Sequence, residues 1–489
     1  MKKYISKAVV LALMGCVTLS SCKKFTDINT DPNQLVDADA SLVLPAALGN
    51  VGFIMGSDIH RYTSLYVQQF AAQGTLSAQP RQYDLYNVLE GDINNTWAST
   101  FSGTLPDLQK VIAKTDGVSP WYAGVAKIMK AYVYAINADA YGDLPFTEAT
   151  KFEDNLTPKF DPSSVIYDKA FALIDEGIAN VKAAASTQAP GADDFIYSGS
   201  MEKWERFANA LKLRMYIHYF STGATAADML KAKTAIDALI AGNRLMRNNG
   251  DSFQFRFLAQ ANQTNPIHQF EGSRPNQFFP SKTLVDLMNG KGDGRRSAFF
   301  TLQGGVFKGA INGDPTESTA FSRMHTYLRG KVAGATYAGE APTRMLTFAE
   351  QNLILAEYFV RTQGGNNLVT ADTYFKAAIS ASFDAAKEFS DATEAAAVTG
   401  SLAAYLATSG TLLPGTALQQ VIEEKFVSNY GVAVEPWSDW RRTGFPVLIP
   451  VSPATALPRI LPYSFTERSY NPNVPARPSV FTKTVFWDK

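Results

Sequence analysis

Cysteine and histidine are both scarce in this chain of 489 residues. There are two cysteines, Cys16 and Cys22, and four histidines that lie far apart in the sequence. If Cys16 is cut away with a leader peptide and Cys22 is modified, no thiol is left for a disulfide or a cysteine metal site. The histidines form neither an H-E-x-x-H motif nor a pair four residues apart, so no zinc-binding pattern is present. We therefore expect neither a metal nor another cofactor.

An excess of charge of either sign is also missing. Lysine plus arginine and aspartate plus glutamate both number 45. Because a chain without a basic field lacks the usual electrostatic attraction to phosphates, we expect no nucleic-acid partner. The longest uncharged run, residues 395–422, is interrupted by glycines and a proline. It indicates a helix and a loop rather than a membrane span.

The familiar catalytic motifs are absent as well. The sequence contains no phosphate-binding G-x-x-x-x-G-K-[ST] loop, no G-x-S-x-G nucleophile elbow and no G-x-G-x-x-G segment opening a helix. Glycoside hydrolysis, however, needs only two well-placed carboxylates, which no spacing rule detects. A surface hydrolase therefore remains an alternative to a non-catalytic role.

The first residues of the chain have the pattern of an export signal. Lys2, Lys3 and Lys7 give a positive start, and residues 8–18 form a short apolar core. Such a core is too short for about 30 Å of hydrocarbon, which requires roughly 20 apolar residues. A charged start, a short apolar core and small residues before a cleavage site are typical of a removed secretory signal.

The end of this signal resembles the lipobox of bacterial lipoproteins, in the sequence Leu-Ser-Ser-Cys at 19–22. The resemblance implies that Cys22 becomes the new N-terminus and carries acyl chains, so Cys22 is a lipid anchor and not a catalyst. Cys16 follows a weaker second lipobox. Each buried methylene contributes about 0.8 kcal/mol, so more than one chain makes a stable anchor. The predicted organisation is a removed signal peptide at residues 1–21, a lipidated N-terminus and tether at 22–40, and a single domain at 41–489.

The stronger periodicities in the rest of the chain are helical. Asp161 is the predicted N-cap of one helix, and Thr347 with Glu350 forms the predicted capping box of another. Long polar, aromatic or glycine-rich stretches separate the helical segments, notably at 242–280 and 303–343. The pattern predicts a mainly α protein with long loops on one or more faces.

Several sequence blocks, in their order and spacing, resemble one protein family. The blocks are "FTDINTDPNQ" shortly after Cys22, "DAYGDLPFTEA" at 139–149, "WERFANALKLRM" at 204–215, "LILAEYFVR" at 353–361, "IEEKFVSNYGVAVEPWSDWRRTGFPVL" at 422–448 and "LPRILPYSFTERSYNPN" at 457–473. Together they resemble the SusD/RagB family of nutrient-binding outer-membrane lipoproteins of Gram-negative bacteria. The "INTDPN" opening resembles the SusD-like branch. One departure, "GDGRR" at 292–296 where many relatives have Asp-Pro-Arg, affects only a local turn.

The resemblance implies both a fold and a function. The implied fold is mainly α, with tetratricopeptide-like helix pairs that support a long-loop ligand-binding face. The implied function is the capture of a glycan or an oligopeptide by a lipid-anchored outer-membrane protein that faces the cell exterior. The implied partner is a SusC-like TonB-dependent outer-membrane barrel, on which the protein acts as a lid.

Most residues in the matching blocks predict scaffold rather than ligand contacts. Trp437 and Trp440 are three residues apart, so we expect both on one helix face and in the core. Arg441 and Arg442 are predicted to pair with buried carboxylates or carbonyls. Arg214 is predicted to be a buried polar tie within its helix.

Ligand contacts are therefore expected in the loops. Sugar rings present apolar C–H faces ringed by hydroxyls, so a sugar site combines flat aromatic side chains with amides and an arginine. Two stretches have this mixture. The first offers Arg81, Tyr83, Asn94, Asn95 and Trp97. The second offers Phe255, Arg256, Asn265, Phe278 and Phe279.

Two of these assignments have a structural alternative. Trp97 also fits a position in the core of a helix. The alternation of Phe253, Phe255 and Phe257 also fits a half-buried strand. For the whole protein, three hypotheses remain: a non-catalytic binding lipoprotein that serves a transporter, a surface hydrolase, and a helical platform for other proteins.

Overall fold

The computed structural model describes residues 38–74, 78–151, 154–314, 319–364, 367–476, 479–482 and 484–488. Its contacts divide the chain into Met1–Asp39 and a second unit, Ala40–Lys489. The predicted signal peptide, Cys22 and nearly all of the predicted tether lie outside the described residues. All helices and strands of the described residues belong to the second unit.

The secondary structure is mainly helical, which confirms the predicted fold class. The α-helices are α1 (Ala40–Gly56), α2 (Asp58–Tyr66), α3 (Gln79–Asp84), α4 (Asn94–Ala98), α5 (Leu105–Thr115), α6 (Pro120–Tyr141), α7 (Ser163–Val181), α8 (Met201–Ile217), α9 (Ala226–Gly242), α10 (Pro266–Ser273), α11 (Lys282–Gly290), α12 (Arg296–Phe299), α13 (Thr326–Arg329), α14 (Phe348–Thr362), α15 (Val369–Ala386), α16 (Ala392–Ser409), α17 (Ala417–Ser428), α18 (Glu435–Thr443) and α19 (Phe465–Tyr470). The strands are β1 (Phe70–Ala72), β2 (Phe253–Phe255), β3 (Phe278–Pro280), β4 (Val332–Ala333), β5 (Thr336–Tyr337) and β6 (Thr343–Leu346). A π-helical segment, Ser99–Thr104, joins α4 to α5, and a 3-10 turn, Asn249–Asp251, precedes β2.

Consecutive helices pack in pairs, most extensively α6 against α7 and α14 against α15. Helix α6 is buried along nearly its whole length, as expected for a helix at the centre of a large protein. The α6–α7 crossing is close because each helix contributes a glycine. A Cβ atom at Gly124 would lie 2.9 Å from the carbonyl oxygen of Gly177, and one at Gly177 would lie 2.6 Å from Ile128 Cγ1. Larger side chains here would force the pair apart.

The start of α14 is capped as predicted, but the capping box is incomplete. The Thr347 hydroxyl accepts a hydrogen bond from the Glu350 backbone N–H at 3.1 Å. The Glu350 carboxylate instead pairs with the Arg214 guanidinium, which donates two hydrogen bonds of 2.7 Å. Both side chains are buried, so the prediction that Arg214 is a buried tie is confirmed.

The prediction that Asp161 caps α7 is wrong. The backbone of Leu144 pairs with that of Asp161, and this contact turns the Asp161 carboxylate towards the preceding loop. There it accepts hydrogen bonds from the backbone, including one of 2.7 Å from Thr147. The first residue of α7, Ser163, donates its N–H to the Asp143 carboxylate at 2.9 Å. The cap therefore comes from an aspartate distant in sequence.

The Trp-Ser-Asp-Trp-Arg-Arg block forms α18 and lies in the interior. Trp437 is fully buried and Trp440 is partly buried. Arg442 forms a buried ion pair with Glu357, and Arg441 donates to a backbone carbonyl at 2.9 Å. These contacts confirm the predicted scaffold role of the block. Because removing one partner of a buried pair leaves an uncompensated charge, such contacts strongly favour one packing.

The described strands form three short antiparallel pairs, β1–β3, β2–β6 and β4–β5. The β1–β3 and β2–β6 pairs join segments that are distant in sequence, whereas β4 and β5 are neighbours along the chain. In β2, Phe253 and Phe255 are buried and Gln254 is half-buried, which confirms the predicted half-buried strand. In β3, Phe279 lies opposite Ala71 and Phe278 opposite Ala72.

One helical stretch of the described residues, Ala40–Tyr66, is long and apolar enough to cross a membrane by length and composition. Half of its apolar segment is buried within the protein. Leu44, Leu48 and Val51 of this stretch belong to the main hydrophobic core. The stretch, which comprises α1 and α2, therefore serves as core helices of the domain.

Candidate functional site

Exposed aromatic side chains converge at one cleft on the loops beside α1. Phe53 of α1 is 44% exposed, Phe195 is 50% exposed and Leu258 is 51% exposed. With the partly buried Phe257, they line a cavity of about 500 Å³. Single exposed apolar residues are ordinary, but a cluster of them marks a binding surface. We call the cleft formed by Phe53, Phe195, Phe257 and Leu258 the aromatic cleft.

The floor of the aromatic cleft is Phe255 of β2. Its ring makes edge-to-face contacts with Phe195 at 6.3 Å and with Phe257 at 5.1 Å between centroids. Strand β2 can lie this close to α1 because position 52 is a glycine. A Cβ atom at Gly52 would lie 2.3 Å from the Phe255 ring.

A buried aspartate holds the loop that carries Phe195. The Asp194 carboxylate accepts hydrogen bonds from the backbone N–H groups of Ile196 at 3.0 Å and Gly199 at 2.9 Å. It also accepts a hydrogen bond from the indole N–H of Trp204 in α8 at 2.8 Å. Because the turn is tied to a helix in this way, the Phe195 ring is held over the cleft by a rigid support.

Polar side chains line the remainder of the aromatic cleft. Ser198, Arg256 and Gln263 contribute hydroxyl, guanidinium and amide groups. The Arg256 guanidinium is exposed and pairs with Glu388 at 2.7 Å. Flat apolar rings with a few hydrogen-bonding groups around them suit a ligand that has both apolar faces and hydroxyls.

A second groove adjoins the aromatic cleft across Phe53, which lines both. It has a volume of about 510 Å³, and Arg61, Asn262 and Gln269 supply polar groups to it. The Arg61 guanidinium lies 4.2 Å from the centre of the Phe270 ring. A chain-like ligand resting on Phe53 can therefore contact an aromatic surface on one side and amides on the other.

The first predicted binding stretch lies largely in the interior. Trp97 is buried, stacks on Phe101 at 4.3 Å and donates its indole N–H to Glu467 at 3.1 Å. Tyr83 is also buried and donates its hydroxyl to Asp92 at 3.0 Å. The buried ring of Tyr83 leaves no face on which a sugar could stack. These placements correct the prediction that Trp97 and Tyr83 are stacking surfaces, and they confirm the structural alternative for Trp97.

The polar residues of this stretch are occupied by the protein itself. The buried Arg81 donates to the backbone carbonyl of Gly313 at 2.7 Å. Asn94 accepts hydrogen bonds from the Ser464 hydroxyl at 2.8 Å and from the backbone of Thr466. Asn95 is exposed. Arg81 and Asn94 thus hold distant loops together, which corrects their predicted role as ligand partners.

The second predicted stretch divides into two groups. Phe255 and Arg256 lie at the aromatic cleft, as the floor and the edge. Asn265 is buried and caps α10: its side-chain oxygen accepts from the Ile267 backbone at 2.7 Å. The prediction that Asn265 contacts the ligand is therefore wrong.

The two phenylalanines of β3 are also buried, contrary to prediction. Phe278 stacks on Phe70 with ring centroids 4.5 Å apart. Phe279 belongs to a small separate cluster with Ala71, Ala310 and Phe321. Adjacent residues of a strand point to opposite faces, and the two rings are accordingly buried in different clusters, Phe278 in the main core and Phe279 in the small one.

Sequence reasoning missed Phe53 and Phe195. A signal existed for Phe195, which is an aromatic residue in the short polar, glycine-bounded segment "GADDFIYSG". Phe53 lies within an apolar helix, where its sequence context is that of a core residue. Among the described residues, no group of three or more histidine, cysteine, aspartate or glutamate side chains is placed to hold a metal ion.

A helical frame that carries an open, aromatic-lined cleft on its connecting segments is the architecture of a ligand-binding protein. A family model of the SusD-like type, described as "Starch-binding associating with outer membrane", matches residues 32–466. The match covers well over half of the sequence, and the chain belongs to this SusD-like family.

Solved structures support the same fold. A SusD/RagB family protein from Bacteroides thetaiotaomicron has a TM-score of 0.75 and 22% identity, over 92% of this chain and 99% of that one. A SusD homologue from Bacteroides fragilis has a TM-score of 0.75 and 23% identity, over 92% of this chain and 100% of that one. A chitin-binding SusD homologue from Flavobacterium johnsoniae has a TM-score of 0.74 and 20% identity, over 92% and 98%. No curated protein is significantly similar in sequence.

Proposed function

We propose that this protein captures an oligosaccharide in the aromatic cleft and its adjoining groove. The observation that carries the proposal is the convergence of Phe53, Phe195 and Phe257 around one opening. Pyranose rings stack on such surfaces through their C–H faces, while Gln263 and Ser198 are placed to exchange hydrogen bonds with hydroxyls. An oligopeptide with apolar side chains is the alternative ligand.

Two comparisons support a glycan. The family is described as starch-binding, and one solved relative is described as chitin-binding. We expect weak binding, roughly micromolar to millimolar, because stacking in an open cleft only slightly exceeds the free-energy cost of association. Weak capture suits a protein that must release its ligand to a transporter.

An array of purified glycans and peptides, probed with the mature unlipidated protein, tests this function. We expect saturable binding to at least one glycan, and at least about tenfold weaker binding in Phe53→Ala and Phe195→Ala. Leu230→Ala is the matched control, because Leu230 is also an exposed apolar residue, on α9. Binding that survives both cleft substitutions would place the site elsewhere. Release of shortened glycans would instead favour the hydrolase hypothesis.

We also propose that acyl chains on Cys22 hold the protein in the outer membrane, facing the exterior. The lipobox-like sequence before Cys22 and the family description of association with the outer membrane support this anchor. Cys22→Ala is expected to remain unprocessed or to become soluble in the periplasm. A variant that still fractionates with outer membranes and still incorporates a lipid label would assign the anchor to another residue, such as Cys16.

The proposed partner is a SusC-like TonB-dependent barrel, on which the protein acts as a lid. A polar tether such as "KKFTDINTDPNQ" keeps the binding domain near one barrel at high effective concentration. Co-purification from detergent-solubilised outer membranes at mild salt should recover the barrel. Recovery of the lipoprotein alone, from cells that express a neighbouring barrel, would favour a free-standing surface binder or a platform for other proteins.

A further inference from the structure

A second cavity lies behind β2, on the side away from the aromatic cleft. Successive residues of a strand point to opposite faces. Phe255 accordingly forms the floor of the aromatic cleft, whereas Gln254 lines the second cavity. Arg256, which follows β2, lines both. The second cavity has a volume of about 400 Å³, which is within the range of small-ligand sites. We call it the polar cavity, and its lining includes Ser252, Gln254, Arg256, Tyr327, Ser382 and Glu388.

The charged groups that line the polar cavity neutralise one another. The Glu388 carboxylate lies 2.7 Å from the Arg256 guanidinium and 3.4 Å from that of Arg344. Lys387 pairs with Asp384 at 2.8 Å. Each of these cations has a carboxylate partner, and each carboxylate would repel an added anion. The polar cavity therefore suits a neutral ligand better than an anionic one.

Two buried hydroxyl groups in the polar cavity have an unused donor. The Ser252 hydroxyl accepts a hydrogen bond from the Phe348 backbone at 3.0 Å, and the Ser382 hydroxyl accepts one from the Arg295 guanidinium at 2.7 Å. Within the described part of the chain, no acceptor takes the proton of either hydroxyl. Buried polar groups are normally satisfied by a protein group or by water. A ligand hydroxyl that accepts from these donors can replace such a water without loss of a hydrogen bond.

The side-chain amide of Gln254 is also available to a ligand. Gln254 is half-buried, and none of the described residues forms a hydrogen bond with its amide. An amide offers two donors and an acceptor, which match adjacent sugar hydroxyls because each hydroxyl both donates and accepts. The Tyr327 ring in the lining is covered by the Arg344 guanidinium, 3.7 Å from the ring centre. Recognition in the polar cavity therefore depends on hydrogen bonds and not on stacking.

We propose that the polar cavity is a second carbohydrate subsite, which receives one neutral sugar unit of the glycan that stacks in the aromatic cleft. Arg256 lines both sites, so it is placed to contact the glycan where one site meets the other. The two sites divide recognition: the aromatic cleft holds apolar ring faces, and the polar cavity selects for the positions of hydroxyl groups. That the sugar unit belongs to the captured glycan rests on the proposed function. Binding of a free sugar in the polar cavity does not.

Titration of the mature wild-type protein with monosaccharides tests the subsite. The probes are glucose, galactose, mannose, xylose and N-acetylglucosamine, with glycylglycine and sodium sulfate, at matched ionic strength, as non-sugar probes. Binding is followed by the NMR chemical shift of the Gln254 side-chain amide. We expect a saturable shift with at least one sugar, in the millimolar range, and none with glycylglycine or sulfate.

Substitutions separate the polar cavity from the aromatic cleft. In a protein that carries Phe53→Ala and Phe195→Ala, the Gln254 shift should persist although capture of the longer glycan is weakened. In this background, Gln254→Ala should weaken monosaccharide binding about threefold to tenfold, as measured by saturation transfer from protein to sugar. Gln303→Ala is the matched control, because Gln303 is a half-buried glutamine that does not line the polar cavity. The proposed function can thus fail at the aromatic cleft while the polar cavity still binds sugar.

A further variant, Ala385→Leu, fills the polar cavity from α15 and should abolish the binding of monosaccharides. Its thermal stability is measured alongside. Three results would overturn the proposal. One is the absence of a saturable Gln254 shift with every sugar in the wild-type protein, which does not depend on the folding of any variant. Another is an equal shift with glycylglycine or sulfate. The third is unchanged sugar binding in both Gln254→Ala and Ala385→Leu.

Discussion

Gly52 of α1 lies directly against the Phe255 ring of β2, so closely that a Cβ atom at position 52 would be 2.3 Å from Phe255 Cγ. This contact sets the depth of the aromatic cleft, because Phe255 is its floor. One turn earlier, Gly49 faces the same ring from a greater distance, and a Cβ atom there would be 3.9 Å from Phe255 Cζ. The two glycines therefore have different roles although both lie on α1.

Gly52→Ala should lower the free energy of unfolding by about 1–3 kcal/mol, because the added methyl group overpacks the contact. This loss should occur although alanine is favoured over glycine in a helix by about 1 kcal/mol. Gly49→Ala should leave stability unchanged or raise it slightly. Urea denaturation of both variants measures the difference. Equal stability of the two would contradict the placement of Phe255 against α1.

Trp97→Ala and Phe279→Ala should each lower the free energy of unfolding by about 3–5 kcal/mol, because both rings are buried and their removal leaves cavities. Thermal and urea denaturation provide the measurement, with Phe53→Ala as the exposed aromatic control. Normal stability combined with weaker glycan binding would restore Trp97 and Phe279 as ligand contacts.

His60 should make the protein sensitive to acid. It is fully buried between Phe70 and Phe278, and neither ring nitrogen has a hydrogen-bond partner within the described residues. Burial, with a smaller effect of Arg61, lowers the pKa of His60 to about 3. The unfolded chain, with a histidine pKa near 6.5, binds this proton more readily than the folded one. Stability should therefore fall as the pH drops below about 6.5, by about 1.4 kcal/mol for each pH unit.

The contribution of His60 to the pH dependence can be isolated by comparison with His60→Leu. As the pH falls from 6.5 to 4.5, the free energy of unfolding should decrease more for the wild type than for the variant. A constant difference over this range would mean that His60 is solvated or protonated in the folded protein.

His218 should have the opposite pH dependence. Burial alone lowers its pKa, but the neighbouring Glu435 and Asp139 carboxylates outweigh burial and raise the pKa to about 9. The protonated ring therefore stabilises the fold fully below pH 6.5, and this contribution is lost as the pH rises from 6.5 to about 9. His218→Gln should be less stable than wild type at pH 6, on the order of 3 kcal/mol, and the gap should narrow towards pH 9.5. A gap independent of pH would show that His218 is neutral.

Scaffold residues were easier to predict than ligand contacts, and Trp97 shows why. A tryptophan with asparagine and arginine nearby in sequence is equally consistent with a sugar platform and with a core position. What decides between them is the partner of the indole N–H, which is Glu467 near the other end of the chain. The sequence is less ambiguous at Arg442, because this arginine follows two tryptophans on one helix. Burial of that helix requires a counter-charge for the arginine.

The sequence by itself determined the helical class, the capped start of α14, the interior position of the Trp437–Arg442 block, and the resemblance to the SusD/RagB family. The first three features depend on residues three or four positions apart, a spacing that the chain alone specifies. The resemblance depends on the order of sequence blocks along the chain. Only the tertiary structure decided the aromatic cleft, because Phe53, Phe195 and Phe257 come from a helix and two loops that are distant in sequence. Their convergence depends on Gly52 admitting Phe255 against α1 and on Asp194 holding its loop to α8, and no local periodicity contains such contacts.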